Sequence, residues 1–291
     1  MQLRESLTSA TARLIAQQVP SPRMNAELLI MFTLDCDRAY LYAHSERELT
    51  AEETQRYDDA IARRASGVPA QYITGHQEFW GLDLIVSPAV LIPRPETEHV
   101  VEVVLELIAA CPTENQRPRA GAPAPHLSIA DVGTGSGAIA LALASELREA
   151  EIFATDISAD ALEIARANAA RHDLSSRIVF HQTDLLNGLT HGEFDFVVSN
   201  PPYVGESEEE RVQLEVRKFE PRNAVFAGPT GLEIIERLIP QARETLRPGG
   251  WLIFEISGTI AEGVRQLLEG WSDVKITNDL QGIARVARAR K

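Results

Sequence analysis

The sequence predicts an α/β fold in which a doubly wound, mostly parallel seven-stranded sheet follows a small N-terminal helical bundle and a β-hairpin. From residue 127 onward, short apolar runs alternate with amphipathic helical segments, a pattern typical of a parallel sheet with helices on both faces. A glycine-rich turn at residues 133–137 follows the first of these runs. Residues 1–75 show helical periodicity without a strand pattern, so we expect a separate domain there.

The N-terminal helices are predicted from apolar spacing and from one capping motif. Leu7, Ala10 and Leu14 recur at helical spacing and therefore share one face of a helix. Thr50 and Glu53 form a capping box that opens a further helix. Several short helices without strands predict a small bundle.

A change of period marks a connector at residues 76–92. The apolar runs at 79–86 and 89–92 predict the two strands of a β-hairpin. Residues 93–291 then form the main domain. It opens with an amphipathic helix and continues through a proline-rich segment at 112–126, whose composition predicts a flexible loop.

Short runs rich in β-branched and other apolar residues predict the strands of the main domain. They cover residues 127–132, 152–156, 178–180, 194–199, 251–256, 273–279 and 283–289. The last two are joined by a short turn at Gln281-Gly282, so they must be antiparallel.

The composition excludes several classes of protein. The 291 residues are 44% hydrophobic and 24% charged, as in ordinary globular proteins, and no apolar run is long enough to span a bilayer. The net charge of -14 argues against a general nucleic-acid-binding surface, which would be basic. Cys36, Cys111 and the scattered histidines form neither a disulfide framework nor a metal-binding motif. With no apolar leader at the N-terminus, we expect a cytoplasmic protein.

The glycine-rich turn is Gly133-Thr134-Gly135-Ser136-Gly137, between the first strand of the sheet and the next helix. Glycines let the backbone approach a ligand closely. The N–H groups of the turn and of the helix N-terminus are expected to favour an electron-rich group. The third glycine falls one residue too early for the G-x-G-x-x-G of dinucleotide sites, so a smaller nucleoside is favoured. A plain strand–helix turn is the alternative.

Two aspartates stand at the ends of the next two strands. Asp156 follows the glycine turn by about 20 residues, where a carboxylate accepts hydrogen bonds from ribose hydroxyls. Capping of the next helix is the alternative for Asp156. Asp184 precedes the apolar Leu185 and Leu186, and an acid beside an apolar ledge suits an adenine ring. A surface aspartate is the alternative for Asp184.

The stretch Asn200-Pro201-Pro202-Tyr203 directly follows the apolar strand at 194–199. Proline cannot donate to a strand ladder, so the strand ends there and Asn200 is held at the rim of the sheet. A rigid carboxamide beside free proline carbonyls can bind a planar NH2 group, as a transferase acting on an amide or an exocyclic amine requires. In a doubly wound sheet, Asn200 should face the glycine turn across the crevice. A strand-terminating turn is the alternative.

Together these motifs resemble those of class I S-adenosylmethionine-dependent methyltransferases that modify planar nitrogens. Two further groups narrow the resemblance, Pro93-Arg94-Pro95-Glu96-Thr97-Glu98 before the glycine turn and Glu220-Pro221-Arg222 with Gly231-Leu232 after it. With them, nearly the whole chain resembles the peptide chain release factor glutamine N5-methyltransferase family (PrmC/HemK). The sister family that acts on a ribosomal-protein glutamine has a different signature at residues 94–98.

The resemblance implies a cofactor and a role for each residue that would hold it. Gly133 to Gly137 would hold the methionine part of S-adenosyl-L-methionine, and Asp156 its ribose. Asp184 and Leu185 would hold its adenine, and Leu185 stands where relatives can carry an aromatic ring.

The resemblance also implies a substrate and a partner. Asn200 and the Pro201 carbonyl would accept from the substrate amide NH2, and Pro202 and Tyr203 complete the catalytic motif, with Tyr203 packed against the flat carboxamide. The substrate would be the glutamine of the Gly-Gly-Gln loop of class I peptide chain release factors. Residues 1–75 would form a substrate-recognition domain. A monomer that binds neither nucleic acid nor membrane is expected.

Four other functions remain open from the residues alone. A nucleic-acid amino-group methyltransferase would also need a site for a planar nitrogen, although the charge of -14 disfavours it. A ribosomal-protein glutamine methyltransferase is the second alternative. A cofactor-binding module without activity would not need Asn200, and a dehydrogenase does not fit the glycine spacing.

Overall fold

The computed structural model describes residues 1–110, 127–190 and 192–291, which fold into two compact units. The helical unit consists of residues 1–76 and 213–219, and the sheet unit of residues 77–212 and 220–291. The loop predicted at 112–126 lies outside the described residues. Across the described ranges, no helix has both the length and the apolar character needed to cross a bilayer.

The helical unit has a small apolar core enclosed by short helices. Its elements are α1 Leu3–Ala16, α2 Pro22–Leu34, α3 Arg38–Ala43, α4 Ala51–Ala65, α5 Ala70–Thr74 and α9 Leu214–Phe219. The predicted capping box opens α4: the Glu53 amide donates to Thr50 Oγ1 at 3.1 Å, and the Thr50 amide donates to Glu53 Oε2 at 2.9 Å. Leu14, Leu29 and Tyr57 are buried in the core.

Helix α9 comes from far along the chain, yet it packs in the helical unit. Arg64 of α4, whose side chain is only 4% exposed, donates to Glu215 of α9 at 2.6 Å. Phe219 lies against Gly67, where an added Cβ would come within 3.3 Å of the ring. The predicted domain boundaries include this segment in residues 93–291, and its contacts with the N-terminal helices could not be predicted from periodicity.

The sheet unit follows the predicted alternation of strands and helices. In order, its elements are β1 His76–Phe79, β2 Leu82–Ile85, α6 Glu98–Ala110, β3 Ser128–Val132, α7 Ala138–Glu146, β4 Glu151–Asp156, α8 Ala159–Arg171, β5 Ile178–Gln182, β6 Phe194–Ser199, β7 Val204–Gly205, α10 Arg222–Val225, β8 Phe226–Gly228, α11 Glu233–Thr245, β9 Leu246–Glu255, α12 Ala261–Leu267, β10 Ser272–Asn278 and β11 Ala284–Arg290. The main sheet has seven strands in the order β10-β11-β9-β6-β3-β4-β5. Strand β11 is antiparallel to both of its neighbours, and the other pairings in the sheet are parallel. The predicted fold class is confirmed.

Successive side chains of a strand point to opposite faces of the sheet, and both faces of this sheet are buried. Phe196 and Val198 of β6 pack in one apolar cluster with residues of α6 and α7. Val197, between them, packs in a second cluster with residues of α11 and α12. This arrangement explains why the central strands read as continuous apolar runs.

The register of three strands positions the site. Strand β3 pairs with β4 on one side and with β6 on the other, and Val132 lies opposite both Thr155 and Ser199. The next residue of each strand is therefore at the same edge of the sheet: Gly133, Asp156 and Asn200. This is the switch point at which doubly wound sheets bind ligands.

The hairpin differs from the predicted one. Its strands are β1 and β2, joined by Trp80 and Gly81 with φ of 54° and 72°, as a tight two-residue turn requires. The predicted second strand at 89–92 is not a strand. The segment lies between Pro88 and Pro93, which restrict pairing, and its apolar residues are apolar because they are buried: Val90 and Ile92 are only 1% and 2% exposed.

Gly231 lies where the chain packs tightly against the Asn200 motif. An added Cβ would lie 2.5 Å from the Tyr203 carbonyl oxygen, and φ is +86°. Gly282 has a similar φ of +81° but open space around it. We expect Gly282→Ala to lower the free energy of unfolding by about 1–2 kcal/mol through backbone strain. Gly231→Ala should cost about 1–3 kcal/mol more, because overpacking is added to the same strain. Urea denaturation of both variants measures the difference, and equal losses would contradict the packing argument.

Candidate active site

A cavity of about 450 Å³ lies at this edge of the sheet unit, a volume suited to a small ligand. Of the predicted site residues, the following line it: Gly133, Thr134, Gly135, Ser136, Asp156, Asp184, Leu185, Asn200 and Pro202. Gly137, Pro201 and Tyr203 are not part of its lining. The structure therefore brings together the strand-end residues that the sequence singled out.

The glycine turn offers space to a ligand more than it offers donors. Gly133 and Gly135 have φ of +70° and +56°, and a Cβ added at either would meet no atom within 4 Å. The amides of Gly133 and Thr134 both donate to the Thr155 carbonyl at 2.9 Å, and the Gly137 amide donates to the Thr134 carbonyl at 2.8 Å. The expectation that these N–H groups face a ligand is therefore wrong for them, because the turn uses them to hold its own shape.

Asp156 braces the glycine turn from the neighbouring strand. Its Oδ2 accepts from the Gly135 amide and its Oδ1 from the Ser158 amide, each at 2.9 Å. Burial raises the pKa of the Asp156 carboxyl, and these hydrogen bonds oppose the rise. A carboxylate has about four acceptor positions, so Asp156 keeps acceptor capacity for a ligand. Capping of α8 falls to Ser158, whose hydroxyl accepts from the Ala161 amide at 3.2 Å.

The loop after β5 is held in an uncommon conformation. Leu185 has φ of 55°, which is rare for a residue other than glycine. Thr155 Oγ1 donates to the Leu185 carbonyl at 2.9 Å, and the Leu186 amide donates to Gln241 Oε1 at 3.0 Å. These bonds hold Leu185 in the cavity wall.

Arg237 was not predicted as a site residue. It forms an ion pair with Asp184 and also lines the cavity. It was missed because it stands on α11, in a segment that reads as an ordinary amphipathic helix. Ile157 was also missed, although it is 59% exposed within the cavity lining. An apolar residue directly after a strand-end acid was the available signal.

Asn200 and Tyr203 are connected by a buried network. Asn200 Nδ2 donates to Thr97 Oγ1 at 3.0 Å, and Thr97 Oγ1 donates to Glu255 Oε2 at 2.5 Å. The Tyr203 hydroxyl donates to the other oxygen, Glu255 Oε1, at 2.7 Å. Glu255 is only 1% exposed, and burial raises the pKa of its carboxyl. Burial and the nearby Glu255 charge raise the pKa of Tyr203 well above its usual value, so the phenol stays protonated.

Sequence reasoning missed Glu255, and it used Thr97 only as part of the motif at residues 93–98, without a role in the site. Glu255 ends the otherwise apolar run Trp251 to Ile256, and a carboxylate in a buried strand needs partners. That signal was visible. The partners of Glu255 could not be identified from the sequence, because Thr97 and Tyr203 are far from it along the chain.

Asp131 lies at the end of β3, beneath the glycine turn. Its Oδ2 accepts from Thr134 Oγ1 at 2.6 Å and from the Ala140 amide at 3.1 Å. Among the described residues, its Oδ1 has no hydrogen-bond partner. Burial raises the pKa of Asp131 to about 7, against those two hydrogen bonds.

Comparisons with known proteins identify the class of this fold. The family model described as the methyltransferase small domain matches residues 122–218, and that of the PrmC N-terminal domain matches residues 5–75. The catalytic domain of hMettl16, in complex with MAT2A 3'UTR hairpin 6, shares the fold with a TM-score of 0.56 and 20% identity, covering 79% of this chain and 81% of that chain. The chain has the fold of the class I methyltransferases.

Relatives along the whole chain then give the family. The release factor glutamine methyltransferase of Koribacter versatilis (strain Ellin345) is 53% identical, over 100% of this chain and 99% of that protein. The protein of the same name from Chlorobaculum tepidum is 42% identical, over 97% of this chain and 94% of that protein. The chain belongs to the release factor glutamine methyltransferase family, as the sequence motifs indicated.

The raised pKa of Asp131 predicts a pH dependence of stability. The carboxyl has a pKa of about 7 in the folded chain and 3.8 for an unperturbed aspartate, so the folded chain binds the proton more tightly. Its contribution to the free energy of unfolding therefore falls as pH rises through this window. Relative to Asp131→Asn, the protein should gain about 2–3 kcal/mol between pH 8 and pH 5.

Chemical denaturation at the two pH values measures this gain. Asp160→Asn, which changes an exposed aspartate of α8, is the matched control and should keep the pH dependence of the unaltered protein. A constant difference between Asp131→Asn and the unaltered protein would show that Asp131 is ionised throughout.

Proposed function

We propose that this protein transfers a methyl group from S-adenosyl-L-methionine to the side-chain amide nitrogen (N5) of the glutamine in the Gly-Gly-Gln motif of peptide chain release factors. One observation carries the proposal: the Asn200 carboxamide lines the cavity beside the open glycine turn and is hydrogen-bonded through Thr97 to a buried carboxylate. Such a group can bind and orient a planar NH2, which a purely cofactor-binding protein would not need. The names of the relatives support the choice of substrate.

The residues present fit the cofactor. The open side of Gly133 and Gly135 leaves room where any side chain would intrude. Asp156 keeps acceptor positions for ribose hydroxyls, and Leu185 with Ile157 offers apolar surface to a purine ring. The carboxylate of Asp184, although paired with Arg237, can still accept from an exocyclic amine. When bound, the cofactor supplies an electrophilic methyl group on a sulfonium.

The protein's own part in the reaction is positioning. An amide nitrogen is a weak nucleophile, because its lone pair is delocalised into the carbonyl. Asn200 Oδ1 accepts one N–H of the substrate amide. The Pro201 carbonyl and the Tyr203 ring, the latter fixed on Glu255, lie outside the cavity lining, and we assign them the second N–H and the flat face of the carboxamide only as the family resemblance implies. Correct placement of this kind can contribute up to ~7–11 kcal/mol. The nitrogen loses its proton only after it is alkylated, so no strong base is needed before attack.

The helical unit is proposed to hold the body of the release factor. Met24, Leu28 and Phe32 follow each other at helical spacing on α2 and are 57%, 37% and 49% exposed. An exposed apolar row on a short helix is a suitable contact for a protein partner. The helical unit provides no lining to the cavity in the sheet unit, so recognition and chemistry are assigned to different units.

Methyl-transfer assays with labelled S-adenosyl-L-methionine test the proposed function. The acceptors are a class I release factor, the same factor with its Gly-Gly-Gln glutamine changed to alanine, a ribosomal-protein mixture, RNA and DNA. We expect label in the unaltered release factor alone, at the glutamine. Label in nucleic acid or in a ribosomal protein would replace this function with one of the alternatives.

Asp156 and Asn200 should separate binding from turnover. Asp156→Ala should weaken cofactor binding by about 1–3 kcal/mol, since it removes a charged acceptor. Asn200→Ala should lower kcat ~10²-fold or more, by analogy with the loss of one preorganised polar contact, and should leave cofactor affinity nearly unchanged. Asp160→Ala, at the exposed start of α8, is the control. Calorimetry and steady-state kinetics measure the two quantities, and parallel losses in both variants would exclude the separate roles.

The apolar row on α2 should affect KM selectively. Leu28→Ala with Phe32→Ala should raise the KM for a whole release factor roughly 5–30-fold, the effect of losing about 1–2 kcal/mol of contact. kcat, and activity on a short Gly-Gly-Gln peptide, should hardly change, because only uniform binding is lost. Leu280→Ala, at a fully exposed apolar residue of the sheet unit, is the control. Equal losses on peptide and protein would show that the row serves stability.

A further inference from the structure

We infer, on the basis of the proposed methyl transfer, that Glu255 acts through Thr97 as a positioning residue that determines which end of the Asn200 carboxamide faces the cavity. The inference rests on three distances and on the number of hydrogen atoms available. Thr97 stands between Asn200, at 3.0 Å, and Glu255, at 2.5 Å. Tyr203 contacts the second carboxylate oxygen at 2.7 Å.

The threonine hydroxyl has a single hydrogen. Both Glu255 oxygens accept from hydroxyls, one from Thr97 and one from Tyr203, so the single Thr97 hydrogen goes to Glu255. Toward Asn200 the same oxygen can then only accept, and Asn200 must present its NH2 to Thr97. Its Oδ1 is left for the cavity, where it can accept from a substrate N–H. The reversed carboxamide would place Oδ1 against lone pairs of Thr97 and turn a donor toward a donor.

The buried position of Glu255 makes this arrangement specific. Side-chain amides can rotate by half a turn with almost no change in shape, so packing alone does not choose between the two orientations. The buried Glu255 carboxyl does select one orientation of the Asn200 amide. Both of its oxygens already accept a hydroxyl hydrogen, so the Thr97 hydrogen is not available to Asn200. Two charged groups near Glu255 act in opposite directions on its pKa: Glu96 raises it and Arg285 lowers it. Arg285 is itself paired with Asp279 at 2.8 Å.

The test uses isosteric variants of the full chain. Glu255→Gln can donate to Thr97, which frees the threonine hydrogen for Asn200 and permits the reversed carboxamide. We expect kcat to fall ~10²-fold, with cofactor affinity within about twofold of the unaltered protein. The kcat of Thr97→Val should fall by a similar factor, whereas Thr97→Ser, which keeps the hydroxyl, should retain most of the activity. Glu262→Gln, at an exposed glutamate of α12, is the control and should leave kcat unchanged.

Two readouts distinguish orientation from simple structural support. In the Asn200→Ala background, Glu255→Gln should have no further effect on kcat, because both changes remove the same interaction. A release factor with Gly-Gly-Glu in place of Gly-Gly-Gln should inhibit Glu255→Gln roughly 3–10-fold better than it inhibits the unaltered protein, since a reversed carboxamide donates to a carboxylate. Additive losses, or inhibition that does not change, would overturn the inference.

The outcome does not depend on a single variant. If Glu255→Gln does not fold, the comparison of Thr97→Val with Thr97→Ser decides, since neither changes the buried charge. Equal activity of those two would overturn the inference. If the unaltered protein methylates another planar nitrogen instead of the release factor, the proposed function fails. The same variants measured on that acceptor would still decide the role of Glu255.

Discussion

The parallel pairing of β3 with β4 on one side and β6 on the other is the constraint on which the site depends. Because Val132 lies opposite both Thr155 and Ser199, strands β3, β4 and β6 end at the same level of the sheet. The glycine turn, the Asp156 carboxylate and the Asn200 carboxamide are therefore neighbours, although they are far apart in sequence. A shift of register by one residue would turn each side chain to the opposite face of the sheet and dismantle the site.

The cavity wall presents several hydrogen-bond acceptors to a ligand. The amides of Gly133, Thr134, Gly135 and Gly137 are used internally, whereas Asp156, Asp184 and the Asn200 oxygen are available to a ligand. Such a wall suits ligands that carry hydroxyl or amino hydrogens and positive charge. The Arg237 partner of Asp184 limits the negative charge that accumulates there. The same preference disfavours phosphate groups, which are acceptors and anionic, and this agrees with the absence of a dinucleotide glycine pattern.

The alternation of strands and helices and the strand-end residues could be predicted from sequence, because strands buried on both faces are continuous apolar runs and the candidate site residues stand directly after them. Gly133, Asp156 and Asn200 were found in this way. Thr97, Glu255 and Arg237 were not, since their roles depend on contacts across more than 50 residues of chain. The packing of helix α9 with the N-terminal helices could not be predicted for the same reason. The segment at 89–92 was predicted to be a strand and is not one, because a buried loop can be as apolar as a strand.

The two-part composition of the helical unit has a consequence for how such proteins can be recombined. A gene fragment that ends at residue 76 encodes the first part of the unit but omits α9, so Arg64 would keep its buried position and lose its carboxylate partner Glu215. Exchange of recognition specificity between relatives would therefore need three crossover sites. One lies at the end of the N-terminal part, and the other two lie on either side of residues 213–219.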